Sequence, residues 1–339
     1  MKILAIESSC DDTAAAVVED GRKVLSSLTS SQIKDHKVFG GVVPEVASRK
    51  HIENISPLVN CVMVEAGLSF SDLEAIAVTY APGLVGSLLV GVNFAKGLSI
   101  ATGLPIIPVH HIKSHIASLY LSNKELKPPF LCLVVSGGHS HIIEVRDYTD
   151  FRILGKTRDD AAGEAFDKIG RRLGFDYPGG VMLDKVAESG NPNAFALPVP
   201  LKNEDKTYDF SFSGLKTAMI NIINGYNQKN IPLPKEDISA TFRKSVVDCL
   251  VNNFISAAKD FGYTNLAIAG GVSANSLLRT SLEKECKKRN WKFFKPELKY
   301  CGDNAAMVGV QAVYEFKAGN TAISDLNAFA TMPIDKLLY

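Results

Sequence analysis

Apolar and polar positions change period repeatedly along the chain, and the changes mark out alternating strands and helices. KILAIE (2–7) and AAAVVE (14–19) are short apolar runs joined by the polar stretch SSCDDT, and EDGRK then turns the chain back towards a third strand. This predicts an opening hairpin, not the strand–helix unit of a dinucleotide fold. Ile52, Ile55, Leu58, Val59, Val62 and Met63 recur at helical spacing within residues 44–66, with Pro57 placed to bend that helix. AIAVTY (75–80) reads as a strand, LVGSLLVGVNFAKGLSIAT (84–102) as a buried helix, PIIPV (105–109) as a short strand and HHIKSHIASLY (110–120) as a helix. After the polar SNKELKPP the theme returns: LCLVVSGGHSHIIEV (131–145) is strand, Gly/Ser turn, strand. The hairpin tips near residues 10 and 138 form a two-copy internal pattern. LAIAGGVSANSLL (266–278) adds a strand that ends in glycines just before a helix.

Composition narrows the class. The 339 residues exceed one small core and suggest two lobes; 46% hydrophobic and 22% charged content is that of a globular chain. A formal net charge of +1 excludes strong overall basicity, so any nucleic acid is bound through a local patch or with a partner's help. The six cysteines are scattered without a CxxC pair, which fits reduced thiols better than a disulfide framework. MKILAIESS lacks the pattern of a signal peptide, and no apolar run is read as membrane-spanning. The expectation is a cytoplasmic protein without a membrane.

The strand-end loops carry the first candidate chemistry. Ser136, Gly137 and Gly138 offer backbone N–H groups that approach phosphate oxygens closely, and Ser9, Cys10 and Asp11 form a comparable turn in the first hairpin. Gly270 and Gly271 allow close approach of a base or ribose, Ser273 is placed to cap the following helix, and Asn275 to hydrogen-bond a ligand. Each motif alone is also an ordinary tight turn. Three of them, each ending an apolar strand, point to a cleft that grips a nucleotide from two sides.

HHIKSH (110–115) carries the second. His111 and His115 lie four apart, on one helical face, and can bind one metal ion together. A zinc protease of the HExxH type needs glutamate where Ile112 stands, so that reading fails. Asp303, in YCGDNAAM (300–307), is the best third ligand, since Gly302 exposes it and Asn304 can begin a helix. The competing reading is a surface helix with incidental histidines, and His110 is taken as such a bystander. His139 sits at a tip where it can face a ligand. Residues 158–180 predict a helix with Asp160, Glu164 and Asp167 on one face, and YPGG turns into another helix carrying Asp184. DFSFSGLKT (209–217) reads as a segment packed on one side and polar on the other.

Nine segments, in order, resemble the TsaD family (also Gcp or YgjD), which installs N6-threonylcarbamoyladenosine in tRNA. They are IESSCDDT (6–13), GGVVPEVASRKH (40–51), PGLVGSLLVG (82–91), VHHIKSH (109–115), LVVSGGHSH (133–141), DDAAGEAFDKIGRRLGFDYPGG (159–180), DFSFSGLKT (209–217), AGGVSAN (269–275) and YCGDNAAM (300–307). The resemblance implies an α/β actin/sugar kinase/Hsp70-like fold, two lobes each built on an RNase H-like mixed sheet. The lobes are expected at 1–110 and 111–339, with the C-terminal tail returning to the first. It implies one divalent metal ion on His111, His115 and Asp303, iron(II) ahead of zinc, with magnesium a further candidate. It places the adenylate, threonylcarbamoyl-AMP, on Val135, Ser136, Gly137, Gly138, His139, Asp167, Gly180, Asp184 and Asn275, with Ser9, Cys10, Gly270 and Gly271 as additional candidates.

The implied reaction is transfer of threonylcarbamoyl to N6 of the adenosine beside the anticodon, with AMP as leaving group. Asp11 is the candidate general base. The implied partners are tRNA, a paralogous TsaB-like dimerisation subunit and a TsaE-like P-loop ATPase. The GGVVPEVASRKH helix is a partner surface by resemblance, and the basic clusters at 171–172 and 284–289 are candidate tRNA contacts. Lys113 departs from the glutamate common between the histidines, Ala81 from a glycine and Gly302 from a threonine, and TMPIDKLLY lacks the family's Arg-Trp-Pro stretch. Two other classes remain open on the residues: an ATP-using kinase of the same fold, which does not require the His/His/Asp triad, and a non-catalytic paralogue, which lacks it.

Overall fold

The computed structural model describes residues 1–201, 207–322 and 325–336. Its strands are β1 (Lys2–Glu7), β2 (Asp12–Glu19), β3 (Lys23–Ser31), β4 (Ala75–Ala81), β5 (Ile106–His110), β6 (Phe130–Val135), β7 (Ser140–Val145), β8 (Phe151–Lys156), β9 (Asn265–Ala269) and β10 (Lys292–Phe294). Its first helices are α1 (Ile33–Lys37), α2 (Pro44–Ala66), α3 (Val85–Thr102), α4 (His111–Ala117), α5 (Leu119–Ser122) and α6 (Ala162–Arg172). α7 (Gly179–Val186), α8 (Ser213–Gln228), α9 (Lys235–Asp260), α10 (Ser276–Arg289) and α11 (Ala305–Lys317) follow.

The strands form two five-stranded sheets, β3-β2-β1-β4-β5 and β8-β7-β6-β9-β10. Read from hairpin to crossover strands, the two orders are the same, so the two hairpin tips noticed in the sequence are equivalent corners of a duplicated unit. β1 runs antiparallel to β2, with Glu7 opposite Ala14, and parallel to β4. β9 likewise runs parallel to both β6 and β10.

Two compact units result. One comprises Met1–Pro128, Val145–Arg152 and the stretch from Pro296 onwards; the other comprises Pro129–Glu144 and Ile153–Lys295. The expected single cut after residue 110 does not coincide with this division. α4 packs on α11 and stays with the first sheet, and the C-terminal stretch returns to it.

In the first unit β1 is flanked on both sides, so its apolar residues read as a continuous buried run. Leu4 and Ile6 face a core shared with Ile55, Val59 and Val62 of α2 and with Leu326 and Met332 of the tail. Ala5 points the other way, where a side chain at Gly309 of α11 would meet it and Val18. α2 begins with Pro44 in its first turn and remains one helix through Pro57.

α3 corrects two expectations. It is long and apolar enough, by length and composition, to cross a membrane. It is also not a buried helix: Ser87, Leu88, Gly91, Val92 and Ala95 face inward, while Val85 and Ile100 are exposed. In the second unit Leu131, Leu133 and Val135 of β6 pack with Phe166, Ile169, Phe242, Val246 and Leu250 from α6 and α9. α6 starts only at Ala162, so Asp160 precedes the helix instead of sharing a face with Glu164 and Asp167; it pairs with Lys168 and Lys216.

Candidate functional site

The HHIKSH segment folds as a turn and a half of wholly buried helix, not as a surface helix. His110 is no bystander. Its Nδ1 accepts from the Ile112 amide at 3.2 Å, which leaves Nε2 to donate to the Met332 carbonyl at 3.1 Å. The ring therefore caps α4 and ties it to the tail. Lys113 turns away from the histidines to Glu315, 3.3 Å away.

One turn apart, the rings of His111 and His115 lie with centroids 4.6 Å apart. Asp303 Oδ1 is 3.2 Å from His115 Nε2 and 3.7 Å from His111 Nε2. One ligand atom from each of the three residues falls within 4.8 Å of the others. Asn304 places the carboxylate by capping α11, its side chain accepting from the Met307 amide at 2.9 Å. His115 is fully buried, yet neither ring nitrogen has a hydrogen-bond partner among the described residues; the approach of Asp303 lacks hydrogen-bond geometry. A buried imidazole left in that state is costly, and a cation between His111, His115 and Asp303 would give His115 Nε2 a partner. Two imidazoles and one carboxylate are a donor set that suits iron or zinc and leaves coordination positions open.

Behind the triad sits a residue the sequence reading missed. Glu7, fully buried at the end of β1, accepts from the Thr79 hydroxyl at 2.7 Å and from the Ser9 amide at 2.6 Å. Its Oε2 is 3.2 Å from His111 Nδ1, and Ser9 Oγ is 3.1 Å from the same nitrogen. Burial works to raise the Glu7 carboxyl, but the His111 charge and hydrogen bond bring it below the ordinary carboxylate range. Burial likewise opposes the imidazolium, yet Asp303 and Glu7 push His111 up to about 9. A carboxylate holding the far nitrogen of a metal-facing histidine fixes its tautomer and raises its basicity. The available signal was a glutamate closing an otherwise apolar strand.

Of the remaining first-hairpin candidates, Ser9 thus joins the triad's surroundings. Cys10 keeps its thiol protonated: burial, with Asp11 and Asp303 adding, raises it well above the ordinary value. Its carbonyl accepts from His51 Nε2 at 2.9 Å, while His51 Nδ1 accepts from Thr13 at 2.8 Å. Asp11 remains partly exposed at the tip, its carbonyl accepting from the Gln32 amide at 3.1 Å, and its carboxylate is not one of the three gathered ligands. Neighbouring Asp12 is raised to about 7 by burial, and the charges of Asp303, Asp11 and Glu7 add to this.

The adenylate candidates other than Ser9 and Cys10 lie in the second unit. The β6–β7 tip is closed by Ser136 N to the His139 carbonyl at 2.8 Å and His139 N to Ser136 Oγ at 3.2 Å. The start of α6 lies against it. A side chain at Gly163 would sit 2.5 Å from the Ser136 carbonyl oxygen and 2.9 Å from Gly137 Cα. Gly137 and Gly138 are exposed, have negative φ, and would meet nothing within 4 Å if given a side chain, so the protein's own packing does not demand glycine there. Val135 ends β6, where Gly270 (φ +89°) brings the β9 loop so close that a Cβ would lie 2.4 Å from the Val135 carbonyl oxygen. Gly271 beside it is exposed.

Asp167 and Asp184 are pinned from within. Asp167 Oδ1 accepts from the Gly180 amide at 2.7 Å, joining α6 to the start of α7. Asp184 accepts from Arg243 Nη1 at 2.9 Å, Asn275 Nδ2 at 2.8 Å and the Ser276 amide at 3.0 Å. Asn275, not Ser273, caps α10, its Oδ1 accepting from the Leu278 amide at 3.0 Å. Arg243, which also reaches the Ala187 carbonyl at 3.2 Å, was invisible in the helical pattern of α9. His141 is half-buried, its Nδ1 enclosed without a hydrogen-bond partner among the described residues and its pKa pushed down to about 4 by burial. DFSFSGLKT behaves as expected: Phe210 and Phe212 are buried, while Ser211 and Ser213 donate to Asp159 at 2.5 and 2.7 Å.

Residues 23–310 match the family model of tRNA N6-adenosine threonylcarbamoyltransferase. A tRNA N6-adenosine threonylcarbamoyltransferase of Clostridium botulinum (strain Kyoto / Type A2) is 51% identical over 334 residues, 98% of each chain. One from Clostridium novyi (strain NT) is 52% identical over the same share. Among solved structures, full-length HypF in its phosphate- and nucleotide-bound form matches with a TM-score of 0.61 at 15% identity, covering 94% of this chain and 46% of that one. The (R)-2-hydroxyglutaryl-CoA dehydratase component A of Acidaminococcus fermentans matches with a TM-score of 0.56 at 13% identity, covering 94% and 98%. These likenesses, with the two sheets of equal strand order, show the actin/sugar kinase/Hsp70-like fold.

Proposed function

Because this chain belongs to the tRNA N6-adenosine threonylcarbamoyltransferase family, we propose that its donor is threonylcarbamoyl-AMP and its acceptor N6 of adenosine 37, in tRNAs that read codons beginning with A. The N6 nitrogen forms a bond to the carbamoyl carbon, the bond from that carbon to the phosphate oxygen breaks, and AMP leaves. The donor is a mixed anhydride, so no covalent enzyme intermediate is required. The protein's task is to orient the amine and stabilise developing charge.

His111, His115 and Asp303 hold the divalent ion, iron(II) in preference to zinc, and the ion when bound supplies Lewis acidity and a template for the donor. Glu7 and Ser9 hold His111 in register from behind. The 135–139 tip takes the phosphate at the positive end of α6, and magnesium bound to the donor's phosphate is a further candidate. Gly180, Asp167, Asp184 and Asn275 shape the adenosine subsite, Asp184 being kept in place by Arg243. Gly270 and Gly271 form its floor. Asp11 takes the N6 proton as the amine attacks, with Cys10 lining the same tip. Asp11→Asn with donor binding intact separates that role: undiminished turnover excludes Asp11 as the base.

The partners are proposed on the same footing. Ile52 and Val64 on α2, with Val85 and Ile100 on α3, expose apolar side chains that suit a paralogous dimerisation subunit. Ile52→Glu combined with Ile100→Glu would then abolish co-elution with that subunit, and unchanged co-elution contradicts the assignment. A P-loop ATPase is proposed from the family resemblance alone. The 284–289 cluster supports tRNA contact less than its composition suggests, because Lys288 and Arg289 pair with Glu285.

One observation carries the reading: two buried imidazoles and a carboxylate converge, with the His115 ring nitrogens lacking a hydrogen-bond partner among the described residues, in a chain half identical to named transferases. The test is to supply threonylcarbamoyl-AMP and unmodified tRNA, with and without the two partners, and to analyse nucleosides by mass spectrometry. Modified adenosine is expected only with donor and enzyme together. Its absence under every combination contradicts the proposal.

A further inference from the structure

Lys113 lies between the two metal-facing histidines, on a helix with no exposed residue, and is itself only 2% exposed. Its ammonium reaches Glu315 Oε1 at 3.3 Å and stands 5.3 Å from the centre of the Phe151 ring. Glu315, equally buried, is further held by Gln311 Nε2 at 2.9 Å and Asn320 Nδ2 at 2.6 Å. Gln311 in turn donates to the Tyr148 carbonyl at 3.0 Å. Both carboxylate oxygens are therefore occupied, and the charge pair is closed off from water.

These two residues belong to the two helices that carry the triad. α4 supplies His111 and His115; α11 starts two residues after Asp303 and holds Glu315 in its last turns. The backbone leaves α4 and α11 far apart in sequence, so a side-chain contact must fix how far one helix slides or turns against the other. Apolar packing alone tolerates small slippage, whereas a buried ion pair with both carboxylate oxygens hydrogen-bonded does not. Burying two charges is otherwise a poor route to stability, since well-packed apolar residues of similar volume usually do as well or better.

We propose that Lys113 and Glu315 are positioning residues for the metal centre: their buried ion pair locks the register between the helices that bring His111, His115 and Asp303 together. The inference rests on the metal reading above and deepens it. It also gives Lys113 a role other than altering the charge at the ion, since Glu315 balances that charge.

The experiment uses Co2+ as the probe on the full chain. Affinity is read by competition with a chromophoric chelator, coordination geometry by the visible ligand-field spectrum, and the metal-free fold by thermal unfolding. Lys113→Met and Glu315→Gln are expected to bind Co2+ about tenfold more weakly, the usual lower range for a group that supports a ligand indirectly. Their spectra are expected to shift, and Lys113→Arg to restore affinity and spectrum. A Lys113→Met/Glu315→Leu double variant is expected to melt no lower than the native chain while still binding weakly. Glu315→Gln preserves side-chain shape and is decisive if the Lys113 variants do not fold. Native affinity and an unchanged spectrum in Glu315→Gln overturn the inference, even if its melting temperature falls. Failure of the native chain to take up Co2+ overturns the metal reading instead, and this inference with it.

Discussion

Glu7 Oε2 lies 3.2 Å from His111 Nδ1, a contact between the end of the first strand and a helix that begins more than a hundred residues later. It turns the far nitrogen of the histidine inward and leaves Nε2 for Asp303 and an ion. Replacing Glu7 by Gln keeps the volume and removes the charge. Metal affinity measured by chelator competition is expected to fall ten- to a hundredfold, and native affinity in Glu7→Gln would show that the contact is only packing.

The same charges set a pH dependence. His111 is pushed up to about 9, whereas an unfolded histidine titrates near 6.5. In the metal-free chain this contributes stability that is complete below the unfolded value and is lost as pH rises to about 9. An ion requires the neutral ring, so metal binding must displace that proton. Apparent affinity is therefore expected to rise about tenfold per pH unit between 6.5 and 8.5, while the melting temperature of the stripped protein declines over the same window. A flat affinity profile would mean that His111 is not a ligand.

Two glycines at the β6–β7 corner make opposite predictions. Alanine at Gly163 would place Cβ 2.5 Å from the Ser136 carbonyl oxygen, and backbone must move. A loss of about 1–3 kcal/mol is expected. Alanine at Gly137 meets nothing within 4 Å. Its melting temperature should stay within a degree of the native value while AMP binding, measured by calorimetry, weakens about tenfold. Unchanged AMP binding in Gly137→Ala removes the tip from the phosphate site.

His141 tests the second unit by pH. Burial holds it down to about 4, so the folded chain stays neutral there while the unfolded chain takes up a proton below 6.5. Stability is complete above that value and is lost as pH falls, by about 3 kcal/mol once pH reaches the folded value. Urea unfolding of the native chain and of His141→Asn at pH 7 and pH 4.5 isolates this loss. Equal pH sensitivity in both proteins contradicts it.

The parts of the fold that were legible in the sequence are those whose period is local. β1, β2, β4, α2 and the two hairpins follow from apolar alternation and turn residues that act within a few positions. The triad was legible for the same reason: His111 and His115 are one turn apart, and Asp303 precedes a helix-capping asparagine. The rest depends on distant partners. Glu7 looks like a strand terminus until Thr79 and His111 arrive, Arg243 like any charge on a long helix until Asp184 meets it, and Lys113 like a surface cation until Glu315 buries with it. α3 misled because its small and apolar residues run all round the helix, while only one face finds the first sheet. Asp160 misled because a helical spacing of carboxylates does not reveal that the helix starts after it.

The central claim is that one ion sits among His111, His115 and Asp303. Crystals of the full chain saturated with iron or zinc, measured at that metal's absorption edge, locate it directly by anomalous scattering. A single peak about 2.1 Å from His111 Nε2 and from His115 Nε2, with Asp303 as the third protein ligand, is the expected result. A peak elsewhere, or none while the solution protein retains metal, contradicts the account.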